Sequence, residues 1–447
     1  MINEDPPRGA GTLAAKAAAA PATMQEASKV ARAAFIGTTI EWFDFYLYAS
    51  AATLVFPQKF FPGLGPAGGA LASFATLTVA FVARPVGGVV FAHFGDRVGR
   101  KATLVASLLL MGVSTCLVGL LPTYEMIGAL APIALVLLRF VQGAAVGGEW
   151  GGAVLMATEF APPASRARLA SWPQQGVTAG LILSTAVLLL VTTTIPNEAY
   201  LAWGWRIPFI GSLLLIVVGL VMRLKVRESP VFAAARKASQ SEPEGQLPIL
   251  EVFRRHTRKT VLASVAYVAV STTFYIAFVY LLSHATSDLE MSKTAALTAI
   301  LVAACFYSVG IMLSARIADM RGRLPALLIG LVGALVTSVP MLLLVQTGDP
   351  VLFAVGLSIF SVLVGMSYAP IGVYFAELFP TAVRYSGMTA TNQVGSLFGA
   401  AIAPFVAAML YQAFGMVAVG IYLIAVTAVS AVAVTLLGET RGTEIER

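Results

Sequence analysis

Charge is scarce in this sequence of 447 residues, in which Asp, Glu, Lys and Arg make up 11% and hydrophobic residues 58%. Soluble domains carry about 25% charged residues, because water has to wet their surface. A chain with so little polar surface is not expected to fold as a soluble globule, so lipid must surround most of it. Basic residues that flank apolar spans then explain the net charge of +7, and nucleic acid is not an expected partner.

Cysteine and histidine are also rare. Cys116 and Cys305 lie inside apolar runs, and His93, His256 and His284 show no metal-ligand spacing, so neither a disulfide framework nor a metal site is predicted. No Gly-Lys-Ser-type phosphate loop occurs, so ATP is not expected as the energy source. Residues 1–28 lack an apolar core segment, which predicts no cleaved signal peptide and instead a disordered cytoplasmic tail over residues 1–30.

Long apolar runs are what the sequence does contain. Twelve of them have about the length needed to cross the hydrocarbon core, at 33–56, 71–93, 102–121, 127–158, 169–194, 205–224, 259–283, 294–317, 325–345, 350–376, 386–412 and 415–437. Because lipid offers no partner for bare backbone amides, each run is predicted to be a helix. The fourth run is long, and its glycines at 147, 148, 151 and 152 indicate a break there. The predicted fold class is an all-α membrane protein of twelve transmembrane helices.

The distribution of Lys and Arg predicts the topology. With the N-terminus inside, 24 of the 29 basic residues fall in cytoplasmic segments, which is the bias expected of inner-membrane proteins. Both termini are therefore predicted to be cytoplasmic. The longest loop divides the chain into a six-helix bundle over 31–225, a cytoplasmic loop over 226–257, a second six-helix bundle over 258–438 and a cytoplasmic tail over 439–447.

Two short patterns recur at corresponding places in the halves. Residues 95–101 (Gly-Asp-Arg-Val-Gly-Arg-Lys) follow the second run, and residues 318–323 (Ala-Asp-Met-Arg-Gly-Arg) follow the eighth. The spacing of Glu159, Arg166 and Gln175 recurs in Glu377, Arg384 and Gln393. Such echoes indicate a duplicated unit, with the substrate site between the repeats near mid-membrane.

These motifs resemble those of the major facilitator superfamily, in particular residues 96–101 and residues 139–143 (Arg-Phe-Val-Gln-Gly). A closer resemblance is to its metabolite:proton symporter family, which includes shikimate, oxoglutarate, citrate and proline/betaine carriers. Residues 40–46, 84–88, 147–152 and 203–209 carry it. Two departures are Ala92, where the superfamily loop usually has Gly, and a tail shorter than that of the osmosensing betaine carriers. The fifth run also lacks the Gly-Pro pair associated with drug antiporters, which favours symport.

Five charged residues lie inside the runs of the first half, where each charge at the bilayer centre costs roughly 2.5–3.5 kcal/mol. They are expected to face one another, a water-filled cavity or the substrate, although each could instead brace helices as an internal ion pair. The candidate substrate and proton pathway comprises these five, with amides, aromatics and a motif glutamine: Glu41, Asp44, Tyr48, Arg84, Arg139, Gln142, Glu149, Gln175, Tyr275, Asn392 and Gln393.

Particular roles follow from the chemistry of these side chains. Glu41 and Asp44 share a helix face, and a carboxyl in a dry pocket can hold a proton at neutral pH. Arg84 and Arg139 stay charged and can bind a substrate carboxylate with two parallel hydrogen bonds. The acids and arginines at the cytoplasmic helix ends are predicted to form a gate of ion pairs between the bundles: Asp96, Arg97, Arg100, Glu159, Arg166, Asp319, Arg323, Glu377 and Arg384.

The predicted function is proton-coupled uptake of a small polar metabolite, and an organic acid is the favoured substrate class. The protein is expected to work as a monomer, with the proton gradient as its energy source and without a cofactor. Two alternatives within the same class are a zwitterion symporter of the proline/betaine type and a metabolite or drug exporter. A membrane-embedded enzyme or a receptor is disfavoured, because the sequence offers neither a nucleophile–base set nor a sizeable extramembrane domain.

Overall fold

The computed structural model describes residues 24–98, 100–147, 149–225, 248–380 and 383–443. Within these ranges the side chains of residues 89, 91–98, 100–104, 149, 222–225 and 248–250 are not described. The described chain is helical throughout, with short connecting turns.

Twelve long helices follow one another along the chain. Those of the first half are α1 (Met24–Leu54), α2 (Gly65–Val98), α3 (Arg100–Leu120), α4 (Leu130–Val146 and Glu149–Glu159), α5 (Arg166–Ala170 and Trp172–Thr194) and α6 (Ile207–Lys225). Those of the second half are α7 (Thr257–Ser287), α8 (Lys293–Arg321), α9 (Arg323–Gln346), α10 (Pro350–Tyr368 and Ile371–Leu378), α11 (Arg384–Phe414) and α12 (Met416–Leu437). Helices α7 and α11 each contain one π-helical turn, at Ile276–Tyr280 and Leu397–Ala401.

Ten stretches of the described chain are long and apolar enough to cross a membrane. Helices α1 and α3 complete the set of twelve. Helix α1 carries Glu41 and Asp44, which are buried against other helices, and the part of α3 whose side chains the structure describes, Val105–Leu120, is apolar. The predicted fold of twelve helices in two bundles is confirmed, and so is the break in α4, which falls after Val146.

Helix packing repeats between the halves. In the first half α1 packs on α5, α2 on α4 and α3 on α6, and in the second half α7 packs on α11, α8 on α10 and α9 on α12. The bundles meet where α2 contacts α11 and where α5 contacts α8, which are again equivalent positions. The duplication read from two loops therefore extends to the whole set of helix contacts.

Matched glycines permit the closest helix crossings. Gly87 lies nine residues before Asp96, as Gly310 lies nine before Asp319. A Cβ at Gly87 would overlap the backbone of Ala144 on α4, and one at Gly310 would overlap the backbone of Val362 on α10. Helices α2 and α4, like α8 and α10, can therefore pack backbone to backbone only because these positions lack a side chain.

The structure corrects two of the predicted boundaries. Helix α1 begins at Met24 and buries Ala27, so the prediction of disorder is wrong for residues 24–30, and residues 1–23 lie outside the described residues. The predicted loop over 226–257 contains a helix, Pro248–Arg255, and residues 226–247 also lie outside the described residues.

A candidate substrate cavity and its closing contacts

A small cavity lies between the bundles, and little free space remains inside it in this arrangement. The first bundle contributes charged and aromatic side chains, and the second contributes neutral polar ones. The residues that line the cavity are Glu41, Trp42, Arg84, Val146, Trp150, Gly151, Tyr267, Thr389, Asn392, Gln393 and Ser396.

Arg84 extends from α2 and is 6% exposed. Its guanidinium carbon lies 4.5 Å from the centre of the Phe81 ring, 5.4 Å from that of Phe45 and 5.7 Å from that of Trp42. No described carboxylate lies within ion-pair distance, and its Nε has no hydrogen-bond partner. Aromatic faces hold this cation by cation–π attraction, and its Nε is a donor that a ligand could use.

Arg139, on α4, is fully buried. Its guanidinium lies over Tyr48, at 4.1 Å, and over Phe45, at 4.4 Å. Nη1 donates to Gln142 Oε1 at 2.6 Å, whereas Nε and Nη2 have no partner among the described residues. Tyr48 is fixed in turn, because its hydroxyl donates to Thr76 at 2.8 Å. Arg139 and Gln142 line a second, adjoining pocket with Glu41 and Arg84.

A chain of hydrogen bonds joins Arg139 to Asp44, which is 1% exposed on α1. Gln142 Nε2 donates to Thr115 Oγ1 at 2.8 Å, and Thr115 Oγ1 donates to Asp44 Oδ2 at 3.1 Å. The carboxyl and the guanidinium therefore interact through two neutral side chains. Thr115 was not among the predicted site residues, because a hydroxyl in an apolar run carries no motif.

An aromatic layer closes one end of the cavity. Tyr275 of α7 packs edge-on against Phe45, at 6.0 Å between ring centres, and against Phe81, at 5.8 Å. Phe274 packs beside Tyr46 at 5.7 Å. Tyr275 was predicted to lie on the pathway, and the structure places it in this layer, next to the cavity rather than among its lining residues.

Ion pairs close the other end, on the basic side, defined here as the side that carries the loops after the even-numbered helices. Glu159 of the first bundle pairs with Arg384 of the second at 3.6 Å, and Arg166 pairs with Glu377 at the same distance. In each half, the glutamate of the repeated pattern thus forms an ion pair with the arginine of the same pattern in the other half. Within the second bundle Arg323 holds Glu377 with two hydrogen bonds, of 2.8 and 3.0 Å.

Asp319 adds a contact of another kind. It accepts hydrogen bonds from the backbone N–H groups of Ala167 and Arg168, at 2.8 and 3.1 Å, and pairs with the Arg168 side chain at 3.1 Å. A carboxylate of the second bundle therefore lies at the start of α5, where free N–H groups favour an anion. Arg168 was not predicted, because the position that corresponds to it in the second half is Ser386.

Residues after α12 join the same network. Glu439 accepts from the backbone N–H groups of Arg323 and Leu324, at 2.9 and 3.0 Å, and Thr440 Oγ1 donates to Glu377 at 2.7 Å. The start of the segment predicted as a tail is thus packed against Arg323 and Glu377.

The bundles also touch on the side opposite the basic side. Lys293 at the start of α8 donates to Asn197 at 2.8 Å and lies 4.9 Å from the centre of the Tyr200 ring. With contacts at both ends, the structure corresponds to an occluded arrangement.

Not every predicted residue lies at the cavity. Gln175 bonds to Ser308 of α8, with Nε2 donating to the carbonyl at 3.0 Å and Oε1 accepting from the hydroxyl at 2.6 Å. It is therefore a contact between the bundles. Gln393 lines the cavity and also crosses between the bundles, donating to Gly147 O at 3.2 Å. The predicted roles of four residues concern side chains that the structure does not describe: Asp96, Arg97, Arg100 and Glu149.

Residues 34–397 match the family model described as Major Facilitator Superfamily. The chain belongs to the major facilitator superfamily. Among relatives in this superfamily, it is 42% identical to "Inner membrane metabolite transport protein YhjE" of Escherichia coli (strain K12), over 93% of this chain and 94% of the relative. It is 35% identical to the "Shikimate transporter" of the same organism, over 94% of this chain and 96% of the relative.

Solved structures of the superfamily show the same fold. The structure of the proton:xylose symporter XylE bound to 6-bromo-6-deoxy-D-glucose superposes on this protein with a TM-score of 0.72 at 17% identity. The match covers 93% of this chain and 97% of that one. The family resemblance read from the motifs is confirmed. As a member of the major facilitator superfamily with these relatives, the chain is a multi-pass membrane transporter of metabolites and not an enzyme.

Proposed function

We propose that this transporter takes up a small organic anion together with a proton. The observation that carries the proposal is the pair of buried guanidiniums, Arg84 and Arg139. Among the described side chains, aromatic rings and an amide hold them, and no carboxylate pairs with either one. A buried charge without a counter-ion is costly, and an anionic substrate would supply that counter-ion. Trp42, Trp150 and Tyr267 offer apolar faces to its carbon skeleton, and Asn392 and Gln393 offer hydrogen bonds to its hydroxyls.

Asp44 is the proposed proton carrier. It is a carboxyl almost completely buried in α1 and bonded to Thr115, so binding of a proton there removes a charge inside the protein, next to the two guanidiniums. Binding of the proton neutralises Asp44 and makes the net charge of the site more positive by one, which favours entry of the anion. The XylE structure is that of a proton:xylose symporter, and this supports proton coupling on the same fold.

The pairs on the basic side are the proposed gate. In alternating access two bundles rock about a central site, and contacts at one face form and break in each cycle. We place the basic side in the cytoplasm of a bacterial inner membrane, because most Lys and Arg residues lie there. In this arrangement the ion pairs hold the cytoplasmic end closed, and the monomer is the working unit.

Uptake into vesicles containing the purified protein tests the proposal. With an inward proton gradient, hydroxylated monocarboxylates should accumulate, and their entry should make the outer medium more alkaline. A protonophore should abolish accumulation. A panel in which only proline and glycine betaine compete would favour the zwitterion alternative, and accumulation driven in the outward direction alone would favour an exporter.

A further inference from the structure

The chain of hydrogen bonds from Arg139 to Asp44 has one direction from donor to acceptor. A guanidinium can only donate hydrogen bonds, so Gln142 must turn its oxygen to Arg139 and its nitrogen to Thr115, as the structure has it. Thr115 Oγ1 therefore uses a lone pair to accept from Gln142. Its single hydrogen remains for a second bond.

That hydrogen has two acceptors within reach. Asp44 Oδ2 lies 3.1 Å from Thr115 Oγ1, and the backbone oxygen of Met111, one turn earlier on α3, lies at 3.0 Å. One hydroxyl hydrogen cannot point at both acceptors with good geometry. The charge on Asp44 should decide between them, because a hydrogen bond to an ionised acceptor is about twice as strong as one to a neutral acceptor.

The charged and titratable groups around the chain, among the side chains that the structure describes, come from four helices. Helix α1 contributes Glu41 and Tyr48 beside Asp44, helix α2 contributes Arg84, helix α4 contributes Arg139 and helix α7 contributes Tyr275. Two hydroxyls lie beside Asp44, that of Thr115 on α3 and that of Ser212 on α6. Thr115 is thus the hydroxyl through which the chain reaches the carboxyl.

We propose that Thr115 is a rotor that couples protonation of Asp44 to the availability of Arg139 for substrate. With Asp44 ionised, the Thr115 hydrogen points at the carboxylate, and the continuous chain directs Arg139 towards Gln142. When Asp44 binds a proton, its O–H donates to the free lone pair of Thr115, and the Thr115 hydrogen turns to Met111 O. No other covalent bond changes. The polarity of the link reverses, and the chain no longer ends on an anion. Thr115 then accepts less strongly from Gln142, and Gln142 holds Nη1 of Arg139 less strongly. Nη1 can therefore turn, with Nε and Nη2, towards the substrate anion.

The inference rests on the proposed function, and Thr115→Val tests it. Valine keeps the shape of the side chain and removes both the donor to Asp44 and the acceptor for Gln142. Without this donor the ionised form of Asp44 loses a charge-assisted bond, so the proton-bound, substrate-competent form persists to higher pH. The pH at which substrate binding in detergent falls to half should rise by about one unit, equivalent to about tenfold in proton affinity. Accumulation driven by a proton gradient should fall, whereas exchange of substrate for substrate should remain.

Matched variants separate the rotor from general packing. Thr115→Ser retains the hydroxyl and should keep the native pH midpoint. Thr427→Val makes the same change at a buried threonine of α12 whose hydroxyl donates only to Leu423 O, and it should leave the midpoint and accumulation unchanged. If Thr115→Val does not fold, Thr115→Cys, a weak donor, should shift the midpoint in the same direction by less.

The outcomes are distinguishable. The rotor proposal is overturned if folded Thr115→Val protein keeps the native pH midpoint of substrate binding and full accumulation. Thr115→Cys protein takes its place if Thr115→Val does not fold. Either result leaves the proposed symport intact. The proposed function itself is refuted if substrate binding and uptake by the native protein do not depend on pH or on the proton gradient. A shift in Thr115→Ser equal to that in Thr115→Val also overturns the rotor, because the side-chain hydroxyl would then not be the cause.

Discussion

Replacement of Arg166 by glutamine should open the basic side of the transporter. Arg166 pairs across the bundles with Glu377 at 3.6 Å, and its side chain is 13% exposed. At an effective dielectric constant of about 20, two unit charges at that distance attract by about 5 kcal/mol before desolvation. Desolvation and repulsion from Arg323, which binds the same carboxylate, reduce the net value to about 1–1.5 kcal/mol.

A loss of that size shifts the equilibrium between closed and open forms by about tenfold. The fold should survive, because Glu377 retains Arg323 and Thr440 as partners and no carboxylate is left buried alone. Arg166→Lys keeps a point charge and should recover part of the closed population.

Pairs of spin labels can measure this change as distance distributions. Cysteines at exposed Ala164 and Met320 report the basic side, and cysteines at exposed Glu198 and Thr294 report the opposite side, after Cys116 and Cys305 are replaced. Arg166→Gln should enlarge the long-distance population on the basic side and reduce it on the opposite side.

Arg255→Gln is a suitable control, because it removes an exposed pair with Glu251 inside one helix and should change neither distribution. An Arg166→Gln protein with the native distribution on the basic side would show that the pair does not hold the gate closed.

Three further variants test the assigned roles. Asp44→Asn should abolish uptake against a gradient and spare exchange, because the amide cannot take up the proton; vesicle uptake beside counterflow measures this, and normal accumulation would contradict it. Arg84→Lys keeps the charge but loses the planar fork, so a binding titration should show about tenfold weaker affinity for the anion; a change below about twofold would count against a carboxylate bound there. Asp96→Asn, at the repeat counterpart of Asp319, should slow turnover and leave equilibrium binding nearly unchanged, whereas equal losses of binding and transport would assign Asp96 to the site or the fold.

The ion pairs between the bundles could be predicted from the sequence because their residues repeat. Glu159 and Arg384, like Glu377 and Arg166, occur at the same spacing in both halves, and duplicated helices bring such positions together about a pseudo-twofold axis. Arg168 lacks a counterpart in the repeat, so the same reasoning could not find it. The bonds from Asp319 to backbone N–H groups carry no side-chain signal at all.

Predictions inside the membrane were less complete. The cost of charge in lipid singled out Asp44, Arg84 and Arg139, all of which lie in or next to the cavity. The cost of charge in lipid gives no information about neutral hydroxyls. The position of Thr115 between Asp44 and Gln142 could therefore be found only from the structure. Gln175 shows the opposite error: an amide in an apolar run does need a partner, but that partner is Ser308 of the other bundle and not the cavity.

The unequal contributions of the two bundles to the cavity have a consequence for how such a carrier can change its cargo. Among the described lining residues, the charged ones, Glu41 and Arg84, belong to the first bundle, and the second bundle contributes neutral groups such as Tyr267, Asn392 and Ser396. Under the proposed function, energy coupling belongs to the first bundle and recognition of the neutral part of the cargo to the second. We therefore expect substitutions in α7 and α11 to change the metabolite that is carried without removing proton-driven accumulation.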